Sequence, residues 1–190
     1  NFDLMYGLPS QSLADVDDTL DHALRLEPSR ISFFGYAHLP DYLPRQRRID
    51  AGALPDAEMR FRQARHGYQR LTEAGYQAIG FDHFARPDDP LAAAAREGRV
   101  NRNFQGFTED DSDIVLGFGA SAISQFPDRM VQDEKRTGFY RDRVRAGVWA
   151  AERGVMIGGQ DRVRGRIIRD LLCRAAADVP VDLLCAARAV

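Results

Sequence analysis

Residues 2–36, FDLMYGLPSQSLADVDDTLDHALRLEPSRISFFGY, hold two short apolar runs separated by a helical pattern. Phe2–Tyr6 reads as a buried strand that ends at the loop signal Gly7-Leu8-Pro9. Ser12 offers an N-cap, and Asp15, Asp17 and Asp18 fall in the first turns, where the helix dipole favours negative charge. Leu13, Val16, Leu20, Ala23 and Leu24 recur at helical spacing through Leu26, and Pro28 closes the helix. Arg30–Tyr36 is a second, aromatic strand. Strand, helix and strand in this order predict a βαβ unit with parallel strands and a right-handed crossover. A strand that begins at residue 2 has no earlier partner in the sequence, so the chain is expected to start inside a larger domain.

Working outward, Pro55 and Asp56 open a long helix with Phe61, Ala64, Tyr68 and Leu71 on one face, stopped by Gly75. Tyr76–Phe81 reads as a third strand, leading into Asp82-His83-Phe84-Ala85, and Leu91–Arg96 as a short helix. Residues 101–107 (NRNFQGF) read as a loop, and Asp113–Gly119 as a fourth strand. Beyond residue 128 the pattern predicts helices over Val131–Ala146 and Arg162–Ala177, the second with Val163, Ile167, Ile168, Leu171 and Leu172 inward. A small strand, Arg153–Ile157, is broken by Gly158-Gly159. The fold class is α/β: a strand-containing body over 1–128 and a mainly helical part over 129–190.

The 190 residues are 44% hydrophobic and 28% charged, enough apolar content for a real core, and the net charge of −2 supplies no pull toward nucleic acid or anionic membrane. No apolar run approaches the ~20 residues needed to cross a bilayer, and no secretory pattern opens the chain; a cytoplasmic protein is expected. Cys173 and Cys185 are too few for a disulfide framework or an iron–sulfur site, and Cys173 is expected to pack in the core.

In parallel α/β folds, ligands sit at the carboxyl ends of the strands. That rule singles out Asp3, Met5 and Tyr6; Tyr36, Ala37 and His38; Asp82 and His83; and Ile123. Asp3 is a carboxylate in an apolar strand, which requires either a ligand hydroxyl or amine, or an internal ion pair. His38 and His83 are either acid–base or metal-ligating groups, or satisfied structural imidazoles. Arg45, Arg47 and Arg48, and Arg86, Arg96, Arg99 and Arg102, form two basic clusters that either fork onto carboxylates or lie on solvated faces. No nucleophile elbow, Cys–His pair or phosphate loop is present.

Five motifs occur in order: DLMYGLP (3–9), GYAHLP (35–40), GFDHFA (80–85), NFQGF (103–107) and GFGASAIS (117–124). Together they resemble the oxygen-independent coproporphyrinogen III oxidase family of radical S-adenosylmethionine (SAM) enzymes, over residues 1 to about 174. The resemblance implies the C-terminal part of a partial (β/α)₆ barrel followed by a helical C-terminal domain. It also implies two SAM molecules and a [4Fe–4S] cluster that reduces SAM to a radical. That radical starts the oxidative decarboxylation of two propionates of coproporphyrinogen III to vinyl groups, with an unidentified electron donor and a monomeric parent. The family's SAM contacts fall here on Asp3, Met5, Ala37, Phe104, Gln105 and Ile123, with Met5 where the family commonly carries a β-branched residue.

The family's Cys-x-x-x-Cys-x-x-Cys loop and glycine-rich SAM loop are absent, and Val179–Val190 departs from the family's continuation. The chain is therefore expected to be an inactive fragment whose first strand is exposed to association. The alternatives are a haem chaperone of the same superfamily and a non-catalytic binding module.

Overall fold

The computed structural model describes residues 1–180, in two compact units: Asn1–Glu109 and the chain from Asp110 onward. Cys185 and most of the departing segment 179–190 lie outside the described residues.

In the first unit, β1 (Phe2–Tyr6), α1 (Leu13–Arg25) and β2 (Arg30–Gly35) form the expected unit, with β1 and β2 parallel and Asp3 opposite Ser32. Ser12 caps α1 through a capping box: its Oγ accepts from the Asp15 N–H, and the Asp15 carboxylate accepts from the Ser12 N–H at 2.7 Å. Two short 3₁₀ turns, Pro44–Arg48 and Ala51–Ala53, lead to α2 (Ala57–Glu73), which Asp56 caps. The third strand is shorter than the apolar run, β3 (Gln77–Ile79), and a further strand follows at β4 (His83–Ala85). The sheet order is β1-β2-β4-β3, and β4 runs antiparallel to both neighbours. After α3 (Pro90–Arg96), residues expected to form a loop instead make a hairpin of β5 (Asn101–Asn103) and β6 (Gly106–Thr108).

One face of the four-stranded sheet carries Ile31, Phe33 and Phe84 and packs on Val16, Leu20 and Leu71 from the two long helices. Strand periodicity turns Asp3, Ser32 and His83 to the opposite face. Gly67 of α2 lets that helix approach the sheet, because a Cβ there would meet the Phe33 ring at 2.1 Å.

In the second unit, β7 (Ile123–Phe126), β8 (Arg129–Asp133), α4 (Thr137–Arg145), β9 (Ala151–Met156) and α5 (Gly159–Arg174) follow in order, and β7-β8-β9 form an antiparallel sheet. The helix expected over Val131–Ala146 is thus a strand followed by a shorter helix. Ladder partners on both sides of β8 override the local helical pattern. The strand expected over Asp113–Gly119 is reduced to a single bridge between Val115 and Gln125. The α5 apolar stripe is present, but Ile168 and Leu171 are exposed and Cys173 is half-buried rather than core. The most enclosed carboxylate here is Glu134, at 2% exposure, which accepts from the Arg136 backbone N–H at 2.9 Å and from its guanidinium at 3.2 Å.

Two outcomes follow from these contacts. Gly67→Ala should destabilise the protein in urea titration, although alanine gains about 1 kcal/mol in helix propensity; Phe33→Leu should relieve part of the loss. The Arg136 side chain and backbone lower the Glu134 carboxyl from 4.5 to about 2. Its stabilising contribution is therefore complete above 4.5 and lost as pH falls through about 2. Acid titration of Glu134→Gln should lack that component.

Candidate functional site

The face of the sheet away from the helices is roofed by the β5–β6 hairpin, and between them lies a cavity of about 630 Å³. Asp3, Arg30, Ser32 and His83 line it from the strands, and Phe104 and Gln105 from the hairpin tip. Asn103 shapes that tip: its side-chain oxygen accepts from the Gln105 N–H at 2.8 Å, an Asx turn. Gly106 follows with φ +147, a backbone conformation open to glycine.

Arg30 organises the cavity's edge. Its guanidinium reaches Asp89 at 2.9 Å and Glu109 at 2.8 Å. Asp89 also caps α3 by accepting from the Leu91 N–H at 2.7 Å. One cation thereby ties β2 to the start of α3 and to the residue just beyond β6. The charge-assisted bonds to Arg30 hold the Glu109 carboxyl below its ordinary range, and Glu109 in turn holds the guanidinium charged. Phe107 is the hairpin's apolar seat. Arg102 lies over its ring at 4.6 Å, and His83 meets it edge-on at 5.2 Å. The His83 Nδ1 pairs with the Asp82 carboxylate at 2.7 Å.

Of the six residues carried over from the resemblance, the cavity brings together Asp3, Phe104 and Gln105. Met5 shares the strand face of Asp3, two residues along β1. Ala37 lies just past β2, exposed, with its carbonyl accepting from Gln46 Nε2 at 3.0 Å. Ile123 opens β7 in the second unit, beside Met130 and Val131. Asp3 needs no internal ion pair: it is exposed on the open face and accepts a hydrogen bond from the Asn1 side chain at 3.1 Å. His38 pairs with the Tyr36 hydroxyl at 3.2 Å and lies off the cavity. Arg45, Arg47 and Arg48 share one exposed 3₁₀ turn. Among the described residues no group of three or more His, Cys, Asp or Glu is arranged to hold a metal. Sequence reasoning passed over Arg30, whose signal was an arginine opening an otherwise apolar strand, and Ser32.

Three relatives match almost the whole chain. Oxygen-independent coproporphyrinogen III oxidases of Bradyrhizobium diazoefficiens, Cereibacter sphaeroides and Salmonella typhimurium are 48%, 41% and 42% identical over 94%, 95% and 94% of it. The chain is homologous to part of these oxidases. It spans about 40% of their length. A solved structure of coproporphyrinogen III oxidase (HemN) from Escherichia coli, a radical SAM enzyme, matches with a TM-score of 0.80 at 42% identity, over 90% of this chain and 39% of that one. No protein-family model matches. The mixed α/β fold is therefore shared with the corresponding part of that enzyme.

The Arg30 network has a measurable consequence. Arg30→Met leaves Asp89, whose side chain is 7% exposed, and Glu109 without their cation. Removing one partner of a buried pair costs about 3–5 kcal/mol; because Arg30 is itself 28% exposed, solvent screening brings the expected loss to about 2–3 kcal/mol in urea titration. The difference from wild type should shrink as acid protonates Glu109, since a neutral carboxyl no longer needs the guanidinium.

Proposed function

We propose that this chain forms part of an oxygen-independent coproporphyrinogen III oxidase, contributing one wall of a SAM-binding cavity in a partial (β/α)₆ barrel. The division into a barrel part, 1–128, and a C-terminal domain, 129–190, belongs to this reading. The observation that carries it is 40–48% identity to oxidases over nine-tenths or more of the chain, joined to a polar cavity built from residues of the resemblance motifs.

The residues suit an adenosyl cofactor. Asp3 can accept from hydroxyl or ammonium groups, Gln105 can both donate and accept, and Phe104 offers a ring face. Met5, Ala37 and Ile123 contribute apolar contact or room for a ring; two SAM molecules belong to the proposal. Bound and reduced by one electron from outside this chain, SAM would release methionine and supply a carbon radical able to remove hydrogen from an unactivated carbon. The task of these side chains is to bind and orient it and keep water from it.

The [4Fe–4S] cluster is a different matter. The sequence has two cysteines, and the described residues hold no metal-ligating group, so the residues present do not fit a cluster. The substrate proposed for the whole enzyme is coproporphyrinogen III, converted to a divinyl product as each of two propionates gives up a β-hydrogen atom to a SAM-derived radical, CO2, and one electron to an acceptor outside this chain.

The test is anaerobic. A longer protein carrying this segment together with a cysteine loop, supplied with iron, sulfide, SAM, a reductant and coproporphyrinogen III, should yield the divinyl product. The 190-residue chain alone should gain no iron–sulfur absorbance and cleave no SAM. Haem retention without turnover by the longer protein would reject the oxidase reading in favour of a haem chaperone.

A further inference from the structure

Residues 36–40, Tyr-Ala-His-Leu-Pro, leave the carboxyl end of β2 with Ala37 exposed. Carbonyl groups in such a segment can be satisfied by water alone. Here side chains from two later segments take them instead. Arg60 of α2 donates through Nη2 to the Tyr36 carbonyl at 2.9 Å, and Arg47 through Nε to the Pro40 carbonyl at 3.2 Å. Gln46 holds two groups at once: its Nε2 donates to the Ala37 carbonyl at 3.0 Å, and its Oε1 accepts from the Leu39 N–H at 2.5 Å. A carbonyl only accepts and an N–H only donates, so these partners fix which way the amide points. Within the 3₁₀ turn Pro44–Arg48, the three arginines are exposed and Gln46 alone is half-buried.

Both peptide groups that flank Ala37 are therefore anchored. The one before it is held at the Tyr36 carbonyl by Arg60, and the Tyr36 N–H donates to the Tyr6 carbonyl at 2.7 Å. The one after it is held at the Ala37 carbonyl by Gln46. Two fixed peptide planes leave the dihedral angles of the alanine between them little freedom. The backbone also makes room for this arrangement: a Cβ at Gly35 would lie 3.0 Å from the Arg60 Nη2. Ordering long side chains at a surface costs rotamer entropy, and the Gln46 bonds bury no apolar group in return. What they provide is a rigid backbone at an exposed alanine, which is what a preorganised ligand contact requires.

We infer that Gln46 is a positioning residue of the proposed enzyme: by holding the Ala37 carbonyl and the Leu39 N–H it fixes the backbone at which Ala37 meets the adenosyl cofactor. The inference rests on the cofactor reading above and adds to it a residue outside the five motifs. Gln46 acts through Ala37, and Arg60 braces the same residue from its other side.

The experiment has two arms. In the full 190-residue chain, amide hydrogen exchange at Leu39 reads the Gln46 bond directly, because Gln46 Oε1 is its acceptor. Gln46→Met, similar in length but without the amide, should speed that exchange about tenfold and leave the β1 and β2 amides unchanged. Gln46→Glu keeps an acceptor and should stay within about threefold of wild type. The second arm is kinetic, in the longer protein of the preceding test. Gln46→Met and Gln46→Glu should each raise the KM for SAM about tenfold, since neither can donate to the Ala37 carbonyl. The KM for coproporphyrinogen III and the urea midpoint should keep their wild-type values, a selectivity that a merely structural role would not give. Ala37→Leu, which fills the room beside that backbone, should raise the same KM for SAM and tests the cofactor reading separately.

Unchanged Leu39 exchange in Gln46→Met would overturn the anchoring itself. A wild-type KM for SAM in both Gln46 variants, with Ala37→Leu impaired, would overturn the role of Gln46 and leave the cofactor reading standing. Equal rises in both KM values, or a lowered urea midpoint, would make Gln46 a structural residue and overturn the inference. A wild-type KM for SAM in Ala37→Leu, or no SAM cleavage by the longer wild-type protein, would overturn the cofactor reading of Ala37 and this inference with it.

Discussion

A single guanidinium holds the cavity side of the first unit together. Arg30 opens β2, and its two carboxylate partners belong to segments far along the chain: Asp89 at the start of α3 and Glu109 just beyond β6. The hydrophobic face of the sheet packs on α1 and α2 through apolar contact, and ion pairs from Asp17 and Asp21 to His66 and Arg70 join the two helices. The other side buries apolar groups too, Leu91, Ala92 and Ala94 of α3 and Phe107 of the hairpin, and the paired cation adds directionality to that packing. Such pairs add little net stability compared with apolar packing, but they fix which groups meet. Here the geometry they fix is that of a polar cavity.

That division of labour explains how an exposed carboxylate, a buried serine and an oriented histidine coexist on a strand face backed by a close-packed core. Polar side chains there avoid desolvation cost because the cavity is open to water or to a ligand. The hairpin roof is seated by its own aromatic residue: Phe107 is gripped by Arg102 and His83, and its tip presents Phe104 and Gln105. A segment with one buried aromatic and a polar, exposed tip suits a surface that must meet a ligand while staying anchored. The second unit contrasts with this. Apart from Ala150 and Glu134 its described residues are half-buried or exposed, and a cavity of about 850 Å³ beside Phe118, Tyr140 and Trp149 contains none of the six residues carried over from the motifs.

The fold of residues 2–36 was legible because its signals are local. The Ser12–Asp15 capping box, the apolar spacing of α1 and the aromatic run of β2 each follow from near neighbours in sequence. The hairpin was missed because Asn101–Thr108 has no apolar alternation; its signals were only Asn103 before the turn and Gly106 after it. Val131–Ala146 misled for the opposite reason: a helical spacing is present, but β7 and β9 lie ready to pair with its first residues. Strand lengths after residue 75 depend on which partners are within reach, and no window of sequence contains that.

For the site, the sequence alone determined that Asp3 stands on β1 and that Phe104 and Gln105 stand in a polar turn, because alternation and turn chemistry are properties of short segments. Only the tertiary structure decided that these three share a cavity with His83, and that Asp3 needs no internal counter-charge. It alone also decided that Arg30, an unremarked strand opener, binds carboxylates 59 and 79 residues away. Register across β1, β2 and β4 creates these neighbours. Register is set by pairing and packing between segments distant in the chain, so no local pattern can encode it.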